Sequence, residues 1–241
     1  MFGFNLTKMV LQFLKKIGRL VSLPKSYDLS DPVERNFAAL YVLLIDHGIL
    51  RFLWTNQARV ADGVWRSNHP THGRLRDLTN SGFKTIISLR GNFKTAPHKY
   101  EVESCGALGL ALRNVPMAAR SAPEVNNLVE LISVLGEAEK PFLIHCKSGA
   151  DRTGLASAVY LMTYCNVTPN KAKQQLSLRF LHFRKSRSGV LDHFLDIYAA
   201  RLVSGPISFV DWVTQEYDPK VVSSSFAILQ NRYQTLKSCR W

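Results

Sequence analysis

One stretch of ten residues decides the fold of this chain, and it runs His145-Cys146-Lys147-Ser148-Gly149-Ala150-Asp151-Arg152-Thr153-Gly154. The apolar residues directly before it, 141–144, are typical of a buried parallel strand. The residues from 152 to 162 are typical of a helix, and small residues connect the two elements. The cysteine is therefore predicted at the carboxyl end of a strand, facing a helix N-terminus. Open α/β sheets bind their ligands at that position.

The stretch combines a nucleophile with groups that bind an anion. A cysteine attacks only as the thiolate, and backbone N–H groups at a helix N-terminus stabilise an anion, whether thiolate or phosphate. Arg152 adds a planar fork that matches two phosphate oxygens. His145 and Thr153 are predicted to support the Cys146 thiolate, the first through the loop and the second through its hydroxyl. The predicted phosphate-binding residues are Lys147, Ser148, Gly149, Ala150 and Arg152.

The pattern His-Cys-x5-Arg-Thr-Gly in residues 145–154 resembles the signature loop of the cysteine-based protein tyrosine and dual-specificity phosphatase superfamily. A lone cysteine after an apolar run is usually a small core residue, but here the other positions agree with the pattern in the expected strand–loop–helix setting. The resemblance implies that Cys146 is the nucleophile and Arg152 the phosphate-binding arginine. It also implies a dual-specificity-phosphatase-like α/β fold with a central, mostly parallel sheet flanked by helices.

A second pair of segments extends the resemblance upstream. Residues 63–70, GVWRSNHP, and residues 82–90, GFKTIISLR, are similar to the opening of compact bacterial and fungal members of the superfamily. The similarity covers roughly residues 59–200. It implies that Arg66 and Arg90 lie near the pocket as candidate contacts with phosphate or a headgroup.

The proton donor is where this chain departs from the family pattern. A leaving oxygen needs a proton, and familiar members carry an aspartate on the loop before the signature. The corresponding residues here, 114–124, contain no aspartate. Asp151 is the predicted acid because some lipid-directed relatives carry an aspartate there, and pairing with a nearby basic residue is the alternative. Glu124 is the second candidate, although it also suits the N-terminus of a helix.

The net charge of the chain is +13 and is unevenly spread. Residues 1–27 and 152–191 contain no acidic residue and together carry +12 of that charge. A positive field beside an anion-binding loop attracts polyanions. The predicted partners are phosphoproteins, phosphoinositides and other anionic phospholipids. Nucleic acid ranks low because the sequence contains no recognised nucleic-acid-binding motif.

Two further features bear on the substrate. Lys147 directly follows the nucleophile, which resembles phosphatases acting on phosphoinositides, but a solvent-facing lysine on a basic surface is the alternative. His182, Arg184 and Arg187 either extend the basic surface or form a solvated helix end.

Residues 4–20 have the period of an amphipathic helix with a basic face. Such a helix suits peripheral contact with a membrane, and packing of its apolar stripe onto the protein's own core is equally open. Lys15 and Lys16 interrupt the apolar part, which disfavours a secretory signal. No run reaches the roughly 18 apolar residues of a spanning helix.

The elements divide the chain into four predicted segments. They are a basic amphipathic helix and linker (1–27), a helical cover (28–58), the catalytic domain (59–203) and a helical C-terminal extension (204–241). Within the catalytic segment we expect a hairpin at 59–66 and then alternating strands and helices, which gives a mostly parallel sheet with helices on both faces. Two helices, 153–165 and 168–178, are expected after the signature loop.

The predicted function is phosphomonoester hydrolysis through a phospho-cysteine intermediate. The predicted substrate is either phosphotyrosine or another phosphoprotein, or a polyanionic phospholipid or inositol phosphate. The alternative is a catalytically weak phosphate-binding module or a membrane-associated scaffold. The four cysteines lack metal-ligand spacing, and no metal or cofactor is expected. A reduced nucleophile indicates the cytoplasm, with the inner membrane face as the place of peripheral contact. Cys105 and Cys165 are either buried free thiols or reversible disulfide partners of Cys146.

Overall fold

A five-stranded sheet lies at the centre of the fold. The computed structural model describes residues 27–91 and 94–238. The strands are β1 (Ala58–Ala61), β2 (Val64–Ser67), β3 (Thr85–Ser88), β4 (Ala111–Asn114) and β5 (Phe142–His145). Their order in the sheet is β1-β2-β5-β3-β4, with β1 antiparallel to β2 and the other neighbours parallel. The predicted hairpin and the predicted mostly parallel sheet are confirmed.

Helices follow the strands in alternation. A π-helical turn, Tyr41–Ile45, continues the first of them, and short 3-10 turns connect the seventh to the eighth. The α-helices of the described chain are α1 (Pro32–Leu40), α2 (Leu50–Leu53), α3 (His72–Asn80), α4 (Ala96–Leu108), α5 (Val125–Glu137), α6 (Asp151–Tyr164), α7 (Pro169–Ala172), α8 (Val190–Arg201), α9 (Phe209–Gln215) and α10 (Pro219–Ser238).

The central strand β5 is buried on both faces. Phe142 and Ile144 belong to a core that also includes side chains of α5, α6, α8 and α9. Leu143 points the other way, into a core with Leu75 and Leu78 of α3. Successive side chains of a strand point to opposite faces, and here both faces are covered. That double burial explains why the strand is a continuous apolar run in the sequence.

The described residues divide into two compact units, 27–54 with 94–103 and 55–91 with 104–238. In the described part of the first unit, Tyr27, Ala38 and Ala96 form a small core. The second unit contains the whole sheet and the signature loop. Helices α9 and α10, predicted as an extension, belong to this unit and pack on α5, α6 and α8.

The helix predicted over 168–178 is shorter than expected. Helix α7 ends at Ala172, and a 3-10 turn, Lys173–Gln175, follows it. The carbonyl of Gln175 accepts a hydrogen bond from Arg66 Nη1 at 2.7 Å. This bond takes the carbonyl that a continuing helix would use. A tertiary contact therefore ends the helix, and no local sequence signal marks the position.

The amphipathic pattern at residues 4–20 lies outside the described residues, so its prediction as a helix stays a prediction. Among the helices that the structure describes, none is both long enough and apolar enough to cross a membrane.

The substitution Phe194→Ala tests the core that α8 shares with the C-terminal helices. Phe194 is fully buried, and its ring centroid lies 5.3 Å from that of Trp212 and 5.0 Å from that of Tyr217. We expect the free energy of unfolding to fall by about 3–5 kcal/mol, measured by urea denaturation. The control Phe183→Ala removes a ring that is 55% exposed and should change stability by no more than about 0.5 kcal/mol. Equal losses would contradict this account of the core.

Candidate active site

Three parallel strands place Cys146 at a shared edge of the sheet. In the register, His145 of β5 lies beside Ser67 of β2 and Ser88 of β3, and all three strands end at these residues. The next residue, Cys146, therefore emerges at the carboxyl edge, where it is 2% exposed. His145 Nδ1 lies 3.3 Å from the Cys146 carbonyl oxygen, which is a loop contact of the predicted kind.

Gly149 shapes the loop between β5 and α6. Its φ is +72°, in the left-handed region that favours glycine. Ala150 follows in the right-handed region, with φ −89° and ψ −79°. This alternation turns successive N–H groups toward one point and makes an anion nest. A Cβ on Gly149 would lie 2.7 Å from backbone atoms of Ser67 and Asn68, so the position requires glycine for space as well as for φ.

Arg66 holds the loop from behind and is fully buried. Its Nη2 donates to the carbonyls of Gly149 at 2.6 Å and Ala150 at 3.4 Å. Its Nη1 donates to the carbonyl and side chain of Gln175 at 2.7 and 2.8 Å, and its guanidinium lies 3.6 Å from the centroid of the Phe180 ring. The expectation that Arg66 contacts the substrate is corrected to a supporting role, because solvent does not reach its guanidinium and both Nη atoms are hydrogen-bonded within the protein.

Asn56 is a second support, and the sequence analysis missed it. Its Nδ2 donates to the carbonyls of Ser148 at 3.1 Å and Phe180 at 3.0 Å. Its φ is +53°, a left-handed conformation that asparagine adopts more readily than most residues. Asn56 thus ties the signature loop to the 3-10 turn Leu178–Phe180. A single asparagine before β1 carries no spacing or periodicity that could have marked it.

The surroundings of Cys146 favour its thiolate. Burial by itself raises the pKa of the thiol, but the charge of Arg152 and hydrogen bonds from the Thr153 hydroxyl and from the N–H groups of Thr153 and Gly149 outweigh it. The pKa of Cys146 is therefore lower than that of an ordinary cysteine. Apart from the sulfur, the Thr153 hydroxyl has no hydrogen-bond partner among the described residues. These contacts make Cys146 a candidate nucleophile.

The guanidinium of Arg152 lies beside this thiol, and only some of its N–H groups are hydrogen-bonded to described residues. Its Nη1 donates to the carbonyl of Leu89, directly after β3, at 3.1 Å. Its Nε is buried and has no hydrogen-bond partner within residues 27–91 and 94–238. A buried donor on a planar, positively charged group fits a phosphate oxygen. The phosphate-binding role of Arg152 stays a prediction, and this geometry leaves a donor open for it.

Asp151 pairs with His182. Asp151 Oδ1 lies 2.7 Å from His182 Nδ1, and the other ring nitrogen, Nε2, lies 2.6 Å from Asp192 Oδ2. The Asp151 side chain is 26% exposed, so its carboxylate is reachable from solvent. His182 is the basic partner that the sequence analysis had allowed for Asp151. The expectation that His182 belongs to a basic surface is wrong, because its side chain is buried between two carboxylates.

The remaining predicted residues occupy varied places. Lys147 is half-buried, and its carbonyl accepts a hydrogen bond from the His69 N–H at 3.3 Å. Ser148 is exposed, and its hydroxyl oxygen accepts the Ala150 N–H at 3.4 Å. Arg90 is half-buried, two residues after the end of β3. Glu124 is exposed at the N-cap position of α5, where the structure shows no side-chain capping bond for it.

The substitution Gly149→Ala should destabilise the protein more than Gly109→Ala. Both glycines have a left-handed backbone, with φ of +72° and +67°, so each alanine costs about 1–2 kcal/mol. A Cβ at position 149 also meets backbone atoms at 2.7 Å, whereas nothing lies within 4 Å of a Cβ at position 109. We expect an additional loss of about 1 kcal/mol or more for Gly149→Ala in urea denaturation. Equal losses would contradict the close approach of the loop to β2.

Comparison with known proteins agrees with this geometry. Residues 53–189 match the family described as DSP-PTPase phosphatase fused to NAD+ kinase, which is more than half of the chain. NAD kinase 2, chloroplastic, from Arabidopsis thaliana is 29% identical over 92 residues. That match covers 37% of this chain and 9% of the plant protein, so the chain spans a small part of this relative.

The chain is similar to solved structures at low sequence identity. The active form of Tk-PTP superposes with a TM-score of 0.50 and 19% identity, covering 61% of this chain and 99% of that chain. The core catalytic domain of a PP-IP phosphatase from S. cerevisiae, in complex with citrate, has a TM-score of 0.49 and 20% identity, covering 63% and 92% of the two chains. The likeness to Tk-PTP agrees with the predicted dual-specificity-phosphatase-like α/β fold. From the extent of the family match, together with the strand–loop–helix site that it contains, this chain belongs to the family of DSP-PTPase phosphatases described as fused to NAD+ kinase.

Proposed function

We propose that this chain hydrolyses phosphate monoesters through a phospho-cysteine intermediate. One observation carries the proposal: the Cys146 thiol, whose pKa is lowered, lies at an anion nest beside the Arg152 guanidinium. A thiolate and preorganised N–H donors at one point are what phosphoryl transfer to sulfur requires. The family match supports phosphatase chemistry as well.

In the first step, the Cys146 thiolate attacks phosphorus in line with the leaving oxygen. The S–P bond forms as the P–O bond to the leaving group breaks. The nest N–H groups and Arg152 stabilise the charge on the equatorial oxygens. Asp151 is the assigned proton donor, and it gives its proton to the leaving oxygen and becomes a carboxylate. The products of this step are the free alcohol and phospho-Cys146.

In the second step, water attacks the phospho-cysteine. The Asp151 carboxylate takes a proton from that water, the new P–O bond forms, and the S–P bond breaks. Cys146 leaves as the thiolate, and the hydrogen bond from the Thr153 hydroxyl to sulfur stabilises it. Inorganic phosphate is released, and Asp151 is again protonated, so the enzyme returns to its starting state.

A polyanionic substrate is supported by a cationic segment beside the site. Residues 178–187 include the exposed Arg179 and Arg187, and bonds from Asn56 and His182 tie this segment to the signature loop. Additional phosphate groups on a bound substrate would meet these charges. The exposed Leu178 and Phe183 in the same segment, at 68% and 55%, favour an anionic phospholipid over a phosphoprotein, because apolar and basic side chains together suit a membrane interface.

Peripheral contact at the inner membrane face belongs to the same proposal. Its support is the basic amphipathic pattern at residues 4–20, which adds positive charge and apolar side chains at one end of the chain. The cytoplasm is the compartment that a reduced nucleophile favours.

The substitution Cys146→Ser should abolish turnover. We expect the rate of 4-nitrophenyl phosphate hydrolysis to fall roughly 10⁴-fold or more, because the covalent nucleophile is lost. The control Cys165→Ser alters an exposed free thiol and should leave the rate unchanged. Acid quenching of the wild-type reaction should trap phosphate on the peptide that contains Cys146. A wild-type protein that binds phosphate without releasing it from any ester would favour the phosphate-binding module instead.

The double substitution Arg179→Gln with Arg187→Gln tests the substrate class. We expect the KM for a phosphoinositide in mixed micelles to rise roughly tenfold, since each exposed charge contributes about 0.2–1 kcal/mol. The kcat, and all parameters for 4-nitrophenyl phosphate, should stay the same. Lys84→Gln is the matched control, because Lys84 is exposed just before β3, at the opposite edge of the sheet. A KM that does not respond would argue for a substrate with a single phosphate.

A further inference from the structure

The side chains of Asp151, His182 and Asp192 form a hydrogen-bonded chain. The proposed reaction steps assign no role to His182 or Asp192. His182 Nδ1 lies 2.7 Å from Asp151 Oδ1, and His182 Nε2 lies 2.6 Å from Asp192 Oδ2. The side chains of His182 and Asp192 are 0% and 3% exposed. Buried ionisable groups are costly unless they are paired. The pairing therefore holds the three side chains in place, and one end of the chain is Asp151, directly before Arg152.

With both aspartates ionised, the arrangement requires a protonated imidazole. Two carboxylates can both accept hydrogen bonds from one imidazole only when both ring nitrogens carry a proton. Burial by itself lowers the pKa of His182, but the hydrogen bonds and charges of Asp151 and Asp192 outweigh burial and raise the pKa to about 9. His182 is therefore a cation at neutral pH. The titratable groups of the described chain that face it are Asp151 at the start of α6 and Asp192 in the first turn of α8.

The position of His182 is determined by elements on both sides of it. Leu181, just before it, has a left-handed backbone with φ +54°. The His182 N–H donates to the carbonyl of Ser177 at 3.1 Å. Asp192 lies within helix α8, so its carboxylate is held by a regular element. The imidazolium is thus fixed to α8 on one side and reaches the N-terminus of α6 on the other.

We propose that His182 is a positioning residue that orients the Asp151 carboxylate for proton transfer during phosphomonoester hydrolysis. The inference rests on the proposed function, because it assigns a role within that reaction. Asp151 is a carboxylate in this pairing, and the negative charge of a bound phosphate ester favours its protonation. Because Oδ1 accepts the hydrogen bond of the imidazolium, Asp151 then carries the transferable proton on Oδ2. Asp192 balances the imidazolium charge and keeps the ring in place. A fixed donor is more effective than a mobile one, because reacting groups must meet in a narrow range of geometries.

The role predicts a dependence on the leaving group. Good leaving groups such as 4-nitrophenolate depart without a proton, whereas an alkoxide needs the acid. We therefore expect His182→Gln to slow alkyl phosphates roughly 10²-fold, on the scale of general acid catalysis, and 4-nitrophenyl phosphate less than about threefold. Asp151→Asn should show the same selectivity. The double variant should be no slower than Asp151→Asn alone, because the two residues act as one unit.

His193→Gln is the matched control. His193 is on the same helix as Asp192 and is hydrogen-bonded to Ser225 Oγ at 2.7 Å, away from the carboxylate pair. This variant removes a hydrogen-bonded histidine and should leave the leaving-group dependence of the wild type unchanged. An effect equal to that of His182→Gln would overturn the positioning role.

A measurement without substrate tests the network itself. In ¹⁵N-labelled protein, His182 should stay protonated at both ring nitrogens through pH 8 and titrate near pH 9. In the Asp192→Asn variant the titration should move toward lower pH, since one stabilising carboxylate is gone. Because the pKa of His182 is raised from 6.5, the stabilisation it supplies to the fold is complete below about pH 6.5 and is lost as pH rises through about 9. A neutral His182 at pH 7 would overturn the proposal.

The experimental outcomes distinguish a failure of the positioning role of His182 from a failure of the proposed function. Turnover that depends on Cys146 but falls equally for aryl and alkyl phosphates in His182→Gln overturns the positioning role and leaves the proposed function intact. The same holds if Asp151→Asn shows no selectivity between leaving groups. A wild-type protein that hydrolyses no phosphate ester, with the His182 titration as expected, overturns the proposed function, and the role of His182 in that reaction falls with it.

Discussion

The active-site loop depends on hydrogen bonds from the guanidinium of Arg66. This guanidinium lies behind the loop and donates to the Gly149 carbonyl at 2.6 Å and to the Gln175 carbonyl at 2.7 Å. Burial lowers the pKa of Arg66, and the charge of Cys146 offsets part of this effect, but a guanidinium keeps its proton in proteins. These hydrogen bonds hold the loop carbonyls on the side away from the anion site. The N–H groups of the loop are therefore turned toward that site. A buried cation thus helps to hold the shape of the nest, together with the backbone of Gly149 and the side chain of Asn56.

At two groups of the candidate site, charges and hydrogen bonds reverse the effect of burial on the pKa. Burial alone would keep the Cys146 thiol protonated, and the charge of Arg152 and three hydrogen bonds to sulfur reverse that preference. Burial alone would likewise keep His182 neutral, and two carboxylates reverse it. In both cases a low-dielectric setting makes the compensating interaction strong. The first group is the proposed nucleophile, and the second is the partner of the proposed acid.

The elements that carry strong local signals were predictable. The strand Phe142–His145 is a short apolar run, the loop after it has the spacing of a known signature, and α6 begins within two residues of the expected start. The supports of the loop were not predictable. Asn56 and Gln175 lie 92 and 109 residues from their partners Ser148 and Arg66, and neither stands in a motif. Sequence patterns report local periodicity and spacing, whereas these contacts arise only when distant segments pack together.

The sequence by itself determined the layout of the site: a cysteine, a slim loop and an arginine follow one another at the end of a strand, because neighbours along the chain are also neighbours in the site. Only the tertiary structure decided what the neighbouring side chains do. Arg66 moved from a predicted substrate contact to a buried support, and His182 moved from a predicted surface position to the partner of Asp151. The reason is that the sequence does not distinguish a charged side chain that faces solvent from one that faces a buried carboxylate. Its role depends on which groups the fold brings within hydrogen-bonding distance.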